Sequence, residues 1–316
     1  MSAKLIPTPA RHFVGLWPKA LTSPYLAPVA LVAGIALPNL ATMVFPYVAL
    51  LAAVAVSAAL LAAQPAAGTD LRCGIGLFLR CCLLAPALAW ALGALVGADP
   101  EERGWMALVA AAPVGAVAVH GVATLGLRGS QAGTAYLVSV VAAPLLVPGV
   151  AFAAGSNLGV APTSLAVLML LTAGLPAAAA LLLRRGMCGL ARPQCRIVLS
   201  ALANLAFAGL ALGRGQGVLD AVLANPAGAL AALALACLAA LAGLLAAVAG
   251  AAASQRPEAM MAGIGRNNAI VWAACAATLP QEGHVFMVCA GALVILGPPI
   301  LGTLLRHFGA GRVVGQ

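Results

Sequence analysis

A short polar run, Arg266-Asn267-Asn268, follows Gly263-Ile264-Gly265 inside an otherwise apolar stretch of this sequence. Arginine carries five N–H donors on a planar fork that stays charged, and each asparagine adds amide donors and an acceptor. Residues of these types bind a carboxylate or sulfonate, or else the carbonyl groups released where a helix is broken. A second glycine–proline interruption, Ala111-Ala112-Pro113-Val114-Gly115-Ala116, lies about 150 residues earlier. Backbone groups freed at mid-bilayer have no partner in lipid, so such a break persists only where it lines a cavity or a site. Paired breaks in corresponding halves of a chain point to a transporter's substrate site. The candidate substrate-binding residues are therefore Arg266, Asn267, Asn268, Gly263 and Gly265 on one side, with Pro113, Gly115 and His120 on the other.

Each candidate has a plainer reading. A charge near the bilayer centre is costly and faces protein or water, which makes Arg266 a functional candidate. It could equally serve as a structural arginine that caps carbonyls freed at the opposite break. One asparagine can bind substrate while the other repairs the backbone, and for Asn268 both roles stay open. His120 could shuttle protons, because its ordinary pKa lies near neutrality; a lone histidine in a bundle more often holds a structural hydrogen bond. Arg80, eight residues past Arg72, can snorkel toward the interface along its stem. Thr124 and Thr134 are hydroxyls available to an ion, although Ser and Thr on such helices mostly serve packing. No Asp or Glu is expected deep in a span, so neither a sodium site rich in negative oxygens nor a carboxylate proton relay is evident. No metal or cofactor motif is present. What lies deep is positive, and the local field favours an anion.

Elements that could position these residues follow from composition. Of 316 residues, 64% are apolar and 7% charged, against about 25% charged in a soluble domain. The net charge of +9 reflects basic residues at the ends of apolar runs, which is a membrane topology signal and not a nucleic-acid footprint. The eight cysteines form no CxxC pair and read as small packing residues. A span needs about 20 apolar residues. Ten are expected, at roughly 24–41, 44–63, 73–97, 104–127, 131–153, 162–183, 197–213, 222–250, 257–279 and 283–305. Pro38-Asn39 and Phe45-Pro46 bracket an expected turn between the first two. Residues 1–23 are expected to form an uncleaved cytoplasmic leader.

With the N-terminus inside, twelve basic residues fall on inside segments, and only Arg103 and Arg214 fall outside. That bias predicts cytoplasmic termini in a bacterial inner membrane protein. Spans 3, 4 and 5 begin about 150 residues before spans 8, 9 and 10. Five is odd, so the second repeat (162–305) would insert upside down relative to the first (24–153). Pro113 and Arg266 each lie about nine residues into a span, from opposite faces. At about 1.5 Å per residue both are about 14 Å deep, and the breaks should meet at the midplane.

At these breaks the chain resembles the bile acid:sodium symporter family. Ala112-Pro113-Val114-Gly115, Arg128-Gly129 and Pro86-Ala87-Leu88-Ala89-Trp90 fit its patterns in spans 3 and 4, and Gly265 and Asn268 fit its E-x-G-x-Q-N pattern in span 9. The resemblance implies an all-α fold of ten helices with crossed, discontinuous helices 4 and 9. A core of helices 3–5 and 8–10 would move against a panel of helices 1, 2, 6 and 7. The departures fall on the family's sodium ligands. Gly263 stands for its Glu, Asn267 for its Gln, and Ala118-Val119 or His120-Gly121 for its Ser-Asn pair. Sodium coupling is therefore expected to be weak or absent, with proton coupling an alternative. The function expected is secondary transport of a small organic anion by alternating access in the lipid bilayer. A receptor that kept the fold and lost transport is the alternative. An enzyme is disfavoured, because no nucleophile–base pair appears.

Overall fold

The computed structural model describes residues 25–62, 71–125, 129–155, 159–186 and 193–307, with 21, 23 and 127 besides. Lys4, Arg11, Lys19, Asp70, Arg128, Cys188, Arg192 and Arg312, which entered the charge and cysteine readings, lie outside the described residues. Everything described is helix, turn or short connection, and the one β-type contact is an isolated antiparallel bridge between Val114 and Arg266.

In chain order the helices are α1 (Leu26–Ala36), α2 (Pro38–Ala62), α3 (Leu71–Leu95), α4 (Pro100–Ala111), α5 (Ala116–Thr124), α6 (Ser130–Ala153) and α7 (Pro162–Gly186). There follow α8 (Pro193–Arg214), α9 (Val218–Ala224), α10 (Pro226–Val248), α11 (Arg256–Ile264), α12 (Asn268–Cys275) and α13 (Gln281–His307). Seven segments are long and apolar enough to cross a membrane. They are α2, α3, α6, α7, the stretch Gln194–Ala224, α10 and most of α13. The protein is thus all-helical and of multi-pass membrane type. Exposed Leu side chains such as Leu145, Leu182, Leu223 and Leu230 cover the outside of the bundle, as a lipid-facing surface requires.

The first two spans differ from expectation. The turn lies at Leu37, before Pro38 rather than between Pro38-Asn39 and Phe45-Pro46, and the chain then runs as helix to Ala62 through a 3₁₀ turn at Phe45–Tyr47. Pro38 at the first helical position needs no N–H donor, so it starts α2 and does not end α1. Pro46 likewise sits at the start of the 3₁₀ turn. With 11 residues, α1 is about 16 Å long, shorter than the hydrocarbon core.

Among the described residues two helices carry a π-helical turn, α3 at Arg80–Leu84 and α7 at Leu170–Gly174. Both are followed by the same spacing of proline, Pro86 and Pro176. A proline inside a helix clashes with the carbonyl four residues back and lacks an N–H. The extra residue of a π-turn relieves that clash, and such bulges are frequent at functional sites. The i+5 bond that closes each turn runs from Ala85 N–H to the Arg80 carbonyl and from Leu175 N–H to the Leu170 carbonyl. The next i+5 donor would be the proline itself. The Cys81 carbonyl is thereby left open to an outside donor.

Basic side chains close helix C-termini, where the carbonyls lack intrahelical partners. Arg184 and Arg196 donate to the Leu60 and Ala62 carbonyls at the end of α2. Arg80 reaches across to another helix end. Its Nη1 donates to the Ala249 carbonyl at the end of α10, 2.7 Å away.

Candidate functional site

The helical pairs α4/α5 and α11/α12 are each interrupted by three or four residues, and the two interruptions lie side by side. Gly115 N–H donates to the Gly265 carbonyl at 2.6 Å, and Asn267 N–H donates to the Pro113 carbonyl at 2.6 Å. This short antiparallel crossing replaces helical bonds that neither strand of chain could make alone. Gly115 is required by proximity: a Cβ there would stand 2.7 Å from the Gly265 carbonyl oxygen. At Gly265 a Cβ would meet Ala118 Cβ at 2.7 Å and the Met261 carbonyl oxygen at 2.8 Å. The backbone of Gly265 (φ -83°, ψ 59°) and of Asn267 (φ -91°, ψ 59°) turns the chain out of α11 and into α12. Both residues have inverse γ-turn geometry.

Side chains complete the pairing. Val114 N–H donates to Ser139 Oγ on α6 at 3.0 Å, and that hydroxyl donates to the Tyr136 carbonyl at 3.0 Å. Arg266 is only 4% exposed, and its guanidinium is spent on this repair. Nε donates to the Gly263 carbonyl at 3.3 Å and Nη1 to the Ala112 carbonyl at 3.1 Å. Nη1 also meets Cys82 Sγ at 3.7 Å, and Nη2 donates to the Cys81 carbonyl. The open carbonyl of the α3 bulge, the last turn before the α4 break and the last turn of α11 thus converge on one cation.

Asn267 and Asn268 are buried at 3% and 1% exposure. Asn268 Oδ1 accepts from Arg214 Nη2 at 3.1 Å, while neither asparagine's Nδ2 has a partner among the described residues. Gly263 packs tightly on α10: a Cβ there would lie 2.7 Å from the Gly243 carbonyl oxygen, 2.9 Å from Ala247 Cβ and 3.0 Å from Leu244 Cα. Thr134 donates to the Ser130 carbonyl one turn back and fills the space opposite Gly74 on α3, where a Cβ would lie 2.4 Å from Thr134 Cβ. His120 and Thr124 lie on α5, and their side chains are outside the described structure.

One sequence expectation is corrected here. The charge pattern assigns Arg214 to an outside loop. It is instead the last residue of α8, only 2% exposed, and reaches inward to Asn268 with its guanidinium 5.3 Å from the Trp272 ring centre. Beyond it the chain continues in tight turns into α9. Glu258, in the first turn of α11, is buried, and its Oε1 accepts the Ala132 N–H at 2.8 Å. The carboxylate thereby caps the N-terminus of α6, where unpaired N–H groups favour negative charge.

His284 is a site residue that sequence reading misses. Trp272 Nε1 donates to His284 Nδ1 at 3.2 Å, and His284 Nε2 lies 3.2 and 3.1 Å from the Arg214 and Gln216 carbonyls. Indole only donates and carbonyls only accept, which assigns the neutral ring with the proton on Nε2. The histidine holds the end of α8 against α12 and α13. No linear signal links positions 214, 268, 272 and 284.

No family model matches this sequence, and no curated protein matches it.

Proposed function

We propose that this chain is a secondary transporter of a small organic anion, working by alternating access in the manner of the bile acid:sodium symporters. One observation carries the reading: two interrupted helices exchange backbone hydrogen bonds inside an apolar helical bundle. Irregular backbone at that depth is costly, and it recurs where a substrate must meet helix ends. In this reading α1 belongs to the first span and leads to its outer turn, α4/α5 and α11/α12 are spans 4 and 9, and ten spans form two inverted five-span repeats. Spans 1, 2, 6 and 7 form the panel, spans 3–5 and 8–10 the core. Both termini face the cytoplasm of a bacterial inner membrane.

Sodium coupling is weak or absent in this proposal. The family's acidic position is Gly263, where the approach of α10 leaves no room for a carboxylate side chain. Arg266 supplies a fixed positive charge in the same region and binds the carbonyls that an ion would otherwise hold. Proton coupling through His120 and ion binding at Thr124 or Thr134 belong to this reading only as alternatives. The test is counterflow of labelled organic anions in proteoliposomes of the purified chain, in sodium and in potassium buffers. Net flux or counterflow insensitive to sodium is expected. Binding without flux would favour the receptor reading, and steep sodium stimulation would remove the fixed-cation account.

A further inference from the structure

We infer that Arg214 and Asn268 form the seat for the anionic head group, and that the seat accepts a single negative charge. This rests on the organic-anion reading above and names its recognition residues. The two arginines of the site are in opposite states. Four donor contacts engage the Arg266 fork. Arg214, more deeply buried, makes one, to Asn268 Oδ1. Its Nε has no partner among the described residues, and neither does Asn268 Nδ2 beside it. Among the described residues no carboxylate stands among the contacts of Arg214, and the acids nearest in sequence to this cluster, Asp220 and Glu282, are exposed.

A buried guanidinium with most of its fork unspent is expensive unless an acceptor completes it. The protein nevertheless builds a place for it. Gly291 on α13 makes room: a Cβ there would stand 2.1 Å from Nη1. The Trp272 face lies against the guanidinium, an arrangement favourable for a cation. Trp272 is braced by Phe45 and His284, and the His284 proton is shared between the Arg214 and Gln216 carbonyls, which fixes the backbone beneath the fork. Donors from the guanidinium and the Asn268 amide meet at the start of α12, a helix end that favours negative charge.

Charge counting sets the ligand class. Arg214 contributes one cation. His284 is neutral because its Nδ1 is the unprotonated acceptor of the indole N–H hydrogen bond. Arg266 is compensated by three carbonyls. A carboxylate or sulfonate monoanion with an apolar body matches one guanidinium set against the Trp272 ring, which Phe45 packs behind. A dianion would bring a second buried charge with no partner. Because Arg214 is on α8 and Asn268 on α12, such an anion would bridge the proposed panel and core.

The test uses the full chain in nanodiscs with benzoate and benzenesulfonate as probes, the neutral benzamide as control and phthalate as dianion. Both monoanions should raise the melting temperature, and benzamide and phthalate should not. Arg214→Gln should weaken benzoate binding about 10- to 100-fold, the worth of a charge-assisted bond, with Arg214→Lys intermediate. Asn268→Asp places a carboxylate in the seat. It should raise the melting temperature without ligand and abolish the response to benzoate. The inference is overturned if neither monoanion stabilises the wild type, if benzamide or phthalate does so equally, or if Arg214→Gln keeps the full response. It is also overturned if Asn268→Asp melts lower than wild type and still responds. Counterflow separates the two proposals. Binding through Arg214 without flux would sink transport and leave the seat, whereas flux indifferent to Arg214→Gln would sink the seat and leave transport.

Discussion

Replacing Arg266 by alanine strands three buried carbonyls, those of Cys81, Ala112 and Gly263. None has an easy substitute. The i+5 donor for Cys81 would be Pro86, and the Asn267 N–H that would return to Gly263 in a helix is committed to Pro113. A buried acceptor left unpaired costs about 1–3 kcal/mol, so the three together cost about 3–9 kcal/mol. Removing the cation also removes its burial penalty, an offset of several kcal/mol, and a water entering the space left behind can bond one or two of the carbonyls. A net loss of about 3 kcal/mol follows. At about 1.5 °C per kcal/mol for a chain of 316 residues, this lowers the melting temperature by about 5 °C. Arg266→Lys should lie between, because one ammonium cannot serve three carbonyls set around a planar fork. The assay is thermal unfolding in detergent or nanodiscs, paired with hydrogen exchange at the Gly115 and Asn267 amides, whose bonds cross the break. Exchange at both should accelerate in Arg266→Ala. An unchanged melting temperature together with unchanged protection of those two amides would refute the account of Arg266 as the pin of the crossover.

Gly115→Ala should disrupt the crossing, since its Cβ would meet the Gly265 carbonyl at 2.7 Å. Gly133→Ala on α6, with open space around it, should be neutral or stabilising; melting curves of the pair check this. Ser139→Ala removes the acceptor of the Val114 N–H and should cost about 1–3 kcal/mol, read by denaturant or thermal unfolding; a loss near zero would mean that Val114 finds another partner. Glu258→Ala uncaps α6 and should cost about 1 kcal/mol, with Glu258→Gln recovering part of it through its amide oxygen; thermal unfolding of the two variants ranks them. Gly263→Glu should fail to yield stable protein rather than gain sodium dependence, because Gly243, Leu244 and Ala247 occupy the space; a well-folded variant stabilised by sodium would contradict that.

The breaks are legible in the sequence because proline and glycine report directly on backbone conformation, and lipid leaves few reasons to retain them. Their meeting is legible from depth alone, since each lies about nine residues into its apolar run. Arg266 stands out as a deep charge, and its engagement with carbonyls matches the structural alternative weighed for it. Other features need three dimensions. Arg80 and Arg184 cap helix ends more than a hundred residues away in sequence. Arg214 follows a glycine and sits among turn signals, and only the packing of α8 against α12 and α13 shows that its side chain points into the bundle. Glu258 reads as an ordinary acid of a first turn, and its real partner is the start of a different helix, α6. The turn at Leu37 is misplaced by the sequence reading because a proline can begin a helix as readily as end one.

The donor count of each arginine decides which of them an anion can use. A guanidinium has five N–H groups, and those engaged by fixed carbonyls are already oriented away from any ligand. Arg266 is in that position. Its charge still contributes to the field, but carbonyl dipoles aimed at it from three segments offset that field at short range. Drawing it toward a substrate would reopen the crossover that it closes. Arg214 has the same charge, a single side-chain partner and a floor of Gly291 and Trp272 that keeps the fork in place. Mutations at the two positions should therefore fail differently. Loss of Arg266 should appear first in stability and amide exchange, and loss of Arg214 first in anion affinity. The residue between them, Asn268, links the two functions: its backbone begins α12 at the crossover, and its side chain holds the free arginine in place.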